Sequence, residues 1–241
     1  MSEEKRGVFP DTRWSLLQVV NRENNESRRN ALEQLLRVYL PILESYLIKQ
    51  RKLGIDEAKD LLHSFISDKV LAGTLLANAD RQRGKFRNLI VKALNNYQIS
   101  TLRKKERELS RRGVNLTIDH EFVDVTTQNE LFDTFWARQI MDNALKAMRT
   151  ECAEKSRDDL WALFDIRIVQ PACYNQPPIS YKKLVSSMDI SSPREAINLL
   201  VTAKRMFVRA LRAEIGRYTD GAEEIDSEII ELKRILTRMN G

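Results

Sequence analysis

The sequence predicts an all-α protein with two helical domains joined by an extended linker, the second domain containing a helix-turn-helix. Helix breakers are few, with 8 glycines and 6 prolines among 241 residues. Leu, Arg, Glu and Lys abound, a composition that favours helices over a sandwich or barrel. Apolar residues recur at helical spacing on both sides of a stretch where that period breaks. We therefore predict a first domain at 9–112, an acidic linker at 113–129, a second domain at 130–219 and a C-terminal helical extension at 220–241.

The first domain contains a run of helically spaced apolar residues that starts after Arg28. This helix is expected to kink or restart at Pro41, because proline lacks the N–H donor. Gly54 ends it. Asp56 is expected to cap the next helix, which reaches about Leu71.

The third predicted helix runs from about Lys85 to Ser110 and lies within the most basic stretch of the chain. Residues 81–112 hold eleven Lys or Arg and two acids, a net charge of +9 against +6 for the whole chain. So concentrated a charge indicates a polyanionic partner, of which nucleic acid is the commonest. A solvated basic helix face is the alternative on charge alone.

The predicted linker breaks the helical period between Val114 and Gln128. It is rich in β-branched residues and carries Asp119, Glu121 and Asp124. We expect it to be extended and acidic.

The second domain resumes helical spacing at Glu130. A short helix, Tyr181–Ser187, is followed by a polar turn and a long basic helix, with Ser191 or Ser192 as N-cap and Pro193 in its first position. A helix, a short turn and a basic helix form the helix-turn-helix pattern. The acidic amphipathic segment after residue 220 is expected to pack on its own domain or on a partner protein.

No motif in the sequence supports catalysis, and we predict neither a cofactor nor a metal. The chain has no Walker loop, GxSxG or HExxH. Asp56, Asp60 and His63 share a helix face and are the one candidate metal set, although a structural helical His is commoner. Cys152 and Cys173 lack CxxC spacing and are expected to be free thiols of a cytoplasmic protein. No window approaches the roughly 18 apolar residues of a membrane span, and the N-terminus has no apolar signal core.

Three segments, in order, carry a resemblance to a known family. Residues 58–65 read AKDLLHSF, residues 86–104 read FRNLIVKALNNYQISTLRK, and residues 179–215 form the helix-turn-helix candidate. Together they resemble bacterial RNA polymerase sigma factors of the extracytoplasmic-function (ECF) type, with the patterns A-x-D-L-x-Q-x-F and F-R-x-W-L-x-x-x-x-x-N…L-R-R. The segments FPDTRWSL, FDTFWA and AKRMFVRALRAEI are similar to the long ECF-like subgroup. His63, Leu89 and Ser100 depart from the family's usual Gln, Trp and acid.

The resemblance implies that the chain binds core RNA polymerase and directs promoter recognition and opening. Contact with the clamp helices of the largest subunit would involve Asp60, Leu61, Leu62, Phe65 and Ile66. The −10 promoter element would be bound by Arg81, Arg83, Lys85, Phe86, Arg87, Asn88, Asn96, Arg103, Lys104 and Lys105. The −35 element would be bound by Ser192, Arg194, Glu195, Asn198, Lys204, Arg205 and Arg209.

The sequence leaves open an additional partner and an alternative function. An anti-sigma or other regulatory protein is the additional candidate partner, and no membrane partner is expected. A helix-turn-helix regulator that binds duplex DNA without polymerase is the alternative function. That alternative leaves the basic stretch in the first domain unexplained.

Overall fold

The computed structural model describes residues 25–72, 75, 86–112, 125–188, 190–219 and 221–240. Every regular element in these ranges is helical, which confirms the predicted all-α class. The α-helices are α1 (Asn25–Lys49), α2 (Ile55–Phe65), α3 (Phe86–Arg111), α4 (Val125–Glu154), α5 (Asp158–Phe164), α6 (Gln170–Tyr174), α7 (Tyr181–Ser187), α8 (Pro193–Ile215) and α9 (Ala222–Asn240). Two π-helical segments, π1 (Ile66–Leu71) and π2 (Asp165–Val169), directly follow α2 and α5.

The chain divides into two compact units. Unit 1 comprises residues 1–138 and 216–241, and unit 2 comprises residues 139–215. The division therefore differs from the predicted domain bounds, because the first residues of α4 and all of α9 group with unit 1. The predicted extended linker is also wrong for residues 125–129, which form the first turn of α4; residues 113–124 lie outside the described ranges.

Two helix boundaries in unit 1 differ from the sequence expectation. Helix α1 runs through Pro41 without restarting. Pro41 is exposed, so water can hydrate the Arg37 carbonyl that loses its donor there. Helix α2 begins at Ile55 with Gly54 as its N-cap, so Asp56 is not the cap but an acid in the first turn, where it complements the helix dipole.

The core of unit 1 is built from aromatic and aliphatic side chains of α1, α2, α3, α4 and α9. Tyr39 of α1 meets Phe86 of α3 edge to face at 5.4 Å between ring centroids. Tyr46 meets Phe132 of α4 in the same manner at 5.8 Å. These contacts place the start of α4 in the core of unit 1, which explains why the unit extends past the predicted boundary at residue 130.

A buried ion-pair network joins three helices of unit 1. Arg87 of α3 is only 3% exposed. Its Nε donates to Asp133 of α4 at 2.8 Å, and its Nη1 donates to Glu228 of α9 at 2.9 Å. The guanidinium also lies 4.1 Å from the ring centroid of Trp136, a favourable cation–π distance. Burial alone lowers the pKa of Arg87, but the carboxylates of Glu228 and Asp133 outweigh it and raise the pKa above its usual value. Arg87 is therefore a fixed positive charge that anchors α9 to unit 1.

The core of unit 2 is formed by one face each of α4, α5, α7 and α8. Its buried members are Met148, Cys152, Leu160, Leu163, Phe164, Leu184, Leu200, Ala203 and Met206. Helix α8 packs against both α5 and α7. Because the buried residues of α8 recur every three to five positions, its opposite face is left exposed along its whole length.

Candidate nucleic-acid interface

The C-terminal part of α3 is an exposed basic surface. Buried residues are confined to positions 86–98 of this helix, and from residue 99 to residue 112 no side chain is buried. The buried residues in the first half of α3, which include Ile90 and Leu94, therefore pack the helix into the core of unit 1, whereas its last turns remain accessible. These turns present Arg103, Lys104 and Lys105 to solvent, followed by Arg107, Arg111 and Arg112. We refer to Arg103, Lys104 and Lys105 as the α3 basic cluster.

Two residues predicted to contact DNA are core residues instead. Phe86 is buried against Tyr39, and Arg87 is buried in the ion-pair network described above. We therefore assign both to the core of unit 1 rather than to a DNA-contacting surface. The predicted contacts at Arg81, Arg83 and Lys85 lie outside the described residues.

A groove of about 480 Å³ lies between π1 and α3 in unit 1, and we call it the basic groove. Its charged members are Lys69 and Lys92, and Asn96 contributes an amide. Leu89 and Ser100, two of the positions that depart from the family pattern, line the same groove. Such a groove combines cations for phosphate oxygens, an amide for a base edge and an aliphatic wall for a base face.

Two other polar residues of α3, Asn88 and Tyr97, differ in their hydrogen bonds. Asn88 is half-buried, and its Oδ1 has no hydrogen-bond partner in the described structure. Tyr97 donates a hydrogen bond to Asp68 at 2.7 Å, and its ring packs edge to face on Phe65 at 5.7 Å. Burial and the neighbouring Asp68 carboxylate both raise the pKa of Tyr97. Its ring is thus a fixed wall and not a free stacking platform.

The predicted polymerase-binding residues divide between the core and the surface. Leu62 and Phe65 are buried in unit 1, whereas Asp60 is exposed and Leu61 and Ile66 are partly exposed. The accessible part of the predicted surface is therefore Asp60, Leu61 and Ile66. Asp60 and Leu61 line a second groove, of about 240 Å³, between α2 and α3, which we call the α2–α3 groove.

Two large apolar side chains in this part of unit 1 were not predicted as surface residues. Ile55 and Leu71 are more than half exposed. Ile55 directly follows Gly54 and precedes the apolar period of α2. Its position before that period is the sequence cue that it lies outside the buried face of the helix. Leu71 continues that period, so the apolar spacing predicted a core residue at this position.

The start of α8 is held by a set of serine and glutamate hydrogen bonds. The Ser192 hydroxyl accepts from the Glu195 backbone N–H at 3.2 Å, which makes Ser192 the N-cap. The Glu195 carboxylate accepts from the backbone N–H of Ser191 at 3.0 Å and from its hydroxyl. These bonds lower the pKa of Glu195. Glu195 therefore has a structural role at the helix start, while Arg194 and Asn198 are exposed, and their side chains make no hydrogen bond or ion pair within the described structure.

Farther along α8, Lys204, Arg205 and Arg209 are all exposed. Arg209 pairs with Glu151 of α4, and this bond, followed by that from Lys155, lowers the pKa of Glu151 to about 2. Arg209 is thus partly neutralised. Of the three predicted phosphate contacts, Lys204 and Arg205 have no ion-pair partner in the described part of unit 2.

The described ranges contain no cluster of three or more His, Cys, Asp or Glu arranged to hold a metal ion, and Asp56, Asp60 and His63 form none. Among those same residues, no helix is both long and apolar enough to cross a membrane.

Comparisons of the chain with protein-family models, with curated proteins and with solved structures found no match.

Proposed function

We propose that the chain is a sigma factor of the ECF type, which binds core RNA polymerase and directs promoter recognition and opening. The observation that carries the proposal is the presence of two exposed basic surfaces, one on each unit. The α3 basic cluster and the basic groove belong to unit 1, and the exposed cations Arg194, Lys204 and Arg205 of α8 belong to unit 2. A promoter has two separated elements to be bound, so both surfaces have a use in this function.

The basic groove is the proposed site for an unstacked base of the −10 element. Lys69 and Lys92 would neutralise neighbouring phosphates, and Asn96 would hydrogen-bond a base edge. Leu89 offers an aliphatic surface where an aromatic ring would stack more strongly. The α3 basic cluster supplies further phosphate contacts and a salt-dependent affinity.

The start of α8 is the proposed reader of the −35 element. The N-terminal residues of a recognition helix reach base edges in the major groove. Arg194 and Asn198 suit guanine and adenine edges respectively, and both side chains are exposed. Lys204 and Arg205 lie about two to three turns later and suit phosphate contacts.

The alternative is a helix-turn-helix regulator that acts without polymerase. It accounts for the exposed start of α8 but gives no role to the basic groove or to the accessible residues of α2. Binding to purified core polymerase separates the two functions.

Gel filtration of the chain with purified core RNA polymerase tests the proposal. We expect a stoichiometric complex, weakened at least tenfold by Asp60→Lys or Ile66→Glu, which alter the accessible residues of the predicted polymerase-binding surface. Glu33→Lys on α1 is the matched control, because Glu33 is exposed and pairs only with Arg37 of its own helix among the described residues. Absence of a complex, combined with specific duplex binding by the chain alone, would establish the alternative.

A further inference from the structure

Helix α8 carries an exposed apolar stripe that DNA binding does not explain. Ile197, Val201 and Val208 are 44%, 43% and 48% exposed. At 3.6 residues per turn these three positions fall within about 40° of one another around the helix. We call them the α8 stripe. Val201 and Val208 also line a shallow, open depression of about 680 Å³ whose walls are all side chains of α8.

The stripe is bordered by positive charge. Arg212 and Arg205 lie about 20° and 40° beyond Val201 on one side of the stripe, and Lys204 lies about 20° beyond Ile197 on the other side. All three line the depression. Beyond Lys204 the surface of the helix turns inward, where Leu200 and Leu211 are buried. A ligand of the stripe therefore meets aliphatic side chains along its centre and cations along both edges.

The far end of the stripe lies beyond the reach of base edges. Val208 is fifteen residues after Pro193, about 22 Å along the helix axis. Recognition helices read bases with their N-terminal residues. Phosphates bind cations and hydrogen-bond donors, so neither base nor phosphate contact accounts for an exposed valine at this position.

We propose that the α8 stripe is the docking site for an acidic amphipathic helix of another protein. Amphipathic helices dock through apolar anchors at i, i+3, i+4 and i+7, and the same period continued to i+11 spans a stripe about 16 Å long. Acidic residues on the two flanks of the partner would face Lys204 on one side and Arg205 and Arg212 on the other. Opposite charges of this kind steer association and fix the orientation of the partner.

Two other occupants fit the surface less well. A second copy of the chain would bring the same cations face to face in an isologous contact, which is repulsive. A membrane surface would attract the cations, but interfacial helices bury a broad apolar face. The broad apolar face of α8 is already buried in unit 2, and only the narrow stripe is left.

The probe is a designed helical peptide with leucines on one face and glutamates on its flanks, labelled for fluorescence anisotropy with the full chain. A control peptide keeps the glutamates and replaces the leucines with serine. We expect the leucine peptide to bind and the serine peptide to bind at least tenfold more weakly. Val201→Ser with Val208→Ser, and separately Lys204→Glu with Arg205→Glu, should each raise Kd at least tenfold.

Ile230→Ser on α9 is the matched control, because Ile230 is even more exposed, at 68%, and lies in unit 1. It should leave Kd unchanged. All substituted positions are at the surface, and circular dichroism checks that the variants fold. Failure of the leucine peptide to bind, equal binding of the two peptides, or unchanged binding by the double valine variant would overturn the proposal.

Vesicles of phosphatidylserine and phosphatidylcholine form a further arm of the test. Sedimentation with these vesicles that depends on Val201 and Val208, without peptide binding, would overturn the proposal in favour of a membrane surface.

Only one consequence rests on the proposed function, namely that the bound peptide, lying beside Arg194 and Asn198, should displace −35 DNA. If the peptide binds with the expected variant pattern while the chain binds no promoter DNA, the docking site stands and the proposed function fails.

Discussion

Replacing Arg87 with methionine is expected to destabilise unit 1 by about 3–5 kcal/mol, because the change leaves the carboxylates of Asp133 and Glu228 buried without their cation. The side chains of Glu228 and Asp133 are 1% and 12% exposed, so water cannot compensate for the loss. Hydrogen exchange of backbone amides in α3 and α9 measures the effect, since it follows the opening of unit 1 separately from that of unit 2.

Two further variants determine whether buried charge is the cause. Arg238→Met breaks an ion pair of similar length, 2.9 Å to Glu130, in which both side chains are about half exposed. It should cost no more than about 1 kcal/mol. Combining Arg87→Met with Asp133→Leu and Glu228→Leu should recover most of the lost stability, because no uncompensated charge remains. Equal losses for Arg87→Met and Arg238→Met would show that the network does not anchor α9.

Substitutions in the two basic surfaces are expected to affect promoter binding in different ways. Lys104→Gln with Lys105→Gln removes two of the proposed phosphate contacts. Affinity should therefore fall for every sequence, and the slope of log K against log salt should decrease by about 0.9 for each lysine. Arg194→Ala or Asn198→Ala removes a proposed base contact, which should cost about 1–3 kcal/mol and relax the sequence preference at one position of the −35 element.

The measurement is a salt titration of promoter affinity for the holoenzyme, repeated with single-base changes in each element. Lys49→Gln on α1 is the control, because Lys49 is an exposed lysine outside both basic surfaces. Uniform, sequence-independent losses from both sets of variants would refute the division between phosphate contact and base reading.

The helices themselves were predictable because their signal is local. Apolar spacing and caps predicted the third helix within one residue at each end, and predicted Ser192 as one of two candidate N-caps of α8. The role of Arg87 was not predictable in this way. Its partners Asp133 and Glu228 are 46 and 141 residues away in the chain, and no periodicity relates them. The same distance explains why α9 was not assigned to unit 1.

The burial of the predicted site residues divides them into core and surface positions, and the sequence did not predict that division. The motif at residues 58–65 contains adjacent residues that differ in burial, since Leu61 is partly exposed and Leu62 is buried. A one-residue step along a helix turns a side chain by about 100°, so a sequence pattern cannot separate them until the packing partner is known. The exposure of Val201 and Val208 was not predicted from the sequence, for a related reason. They have the residue type of core positions and lie on a helix whose other face forms the core of unit 2.

Run-off transcription with purified core RNA polymerase and a library of promoter fragments tests the central claim most directly. We expect the chain to direct specific initiation, with the selected fragments sharing a −10 and a −35 element. Asn198→Ala should change the enriched −35 sequence, and Asn96→Ala in the basic groove should reduce open-complex formation. Transcripts that require no added chain, or a library with no enriched element, would contradict the account.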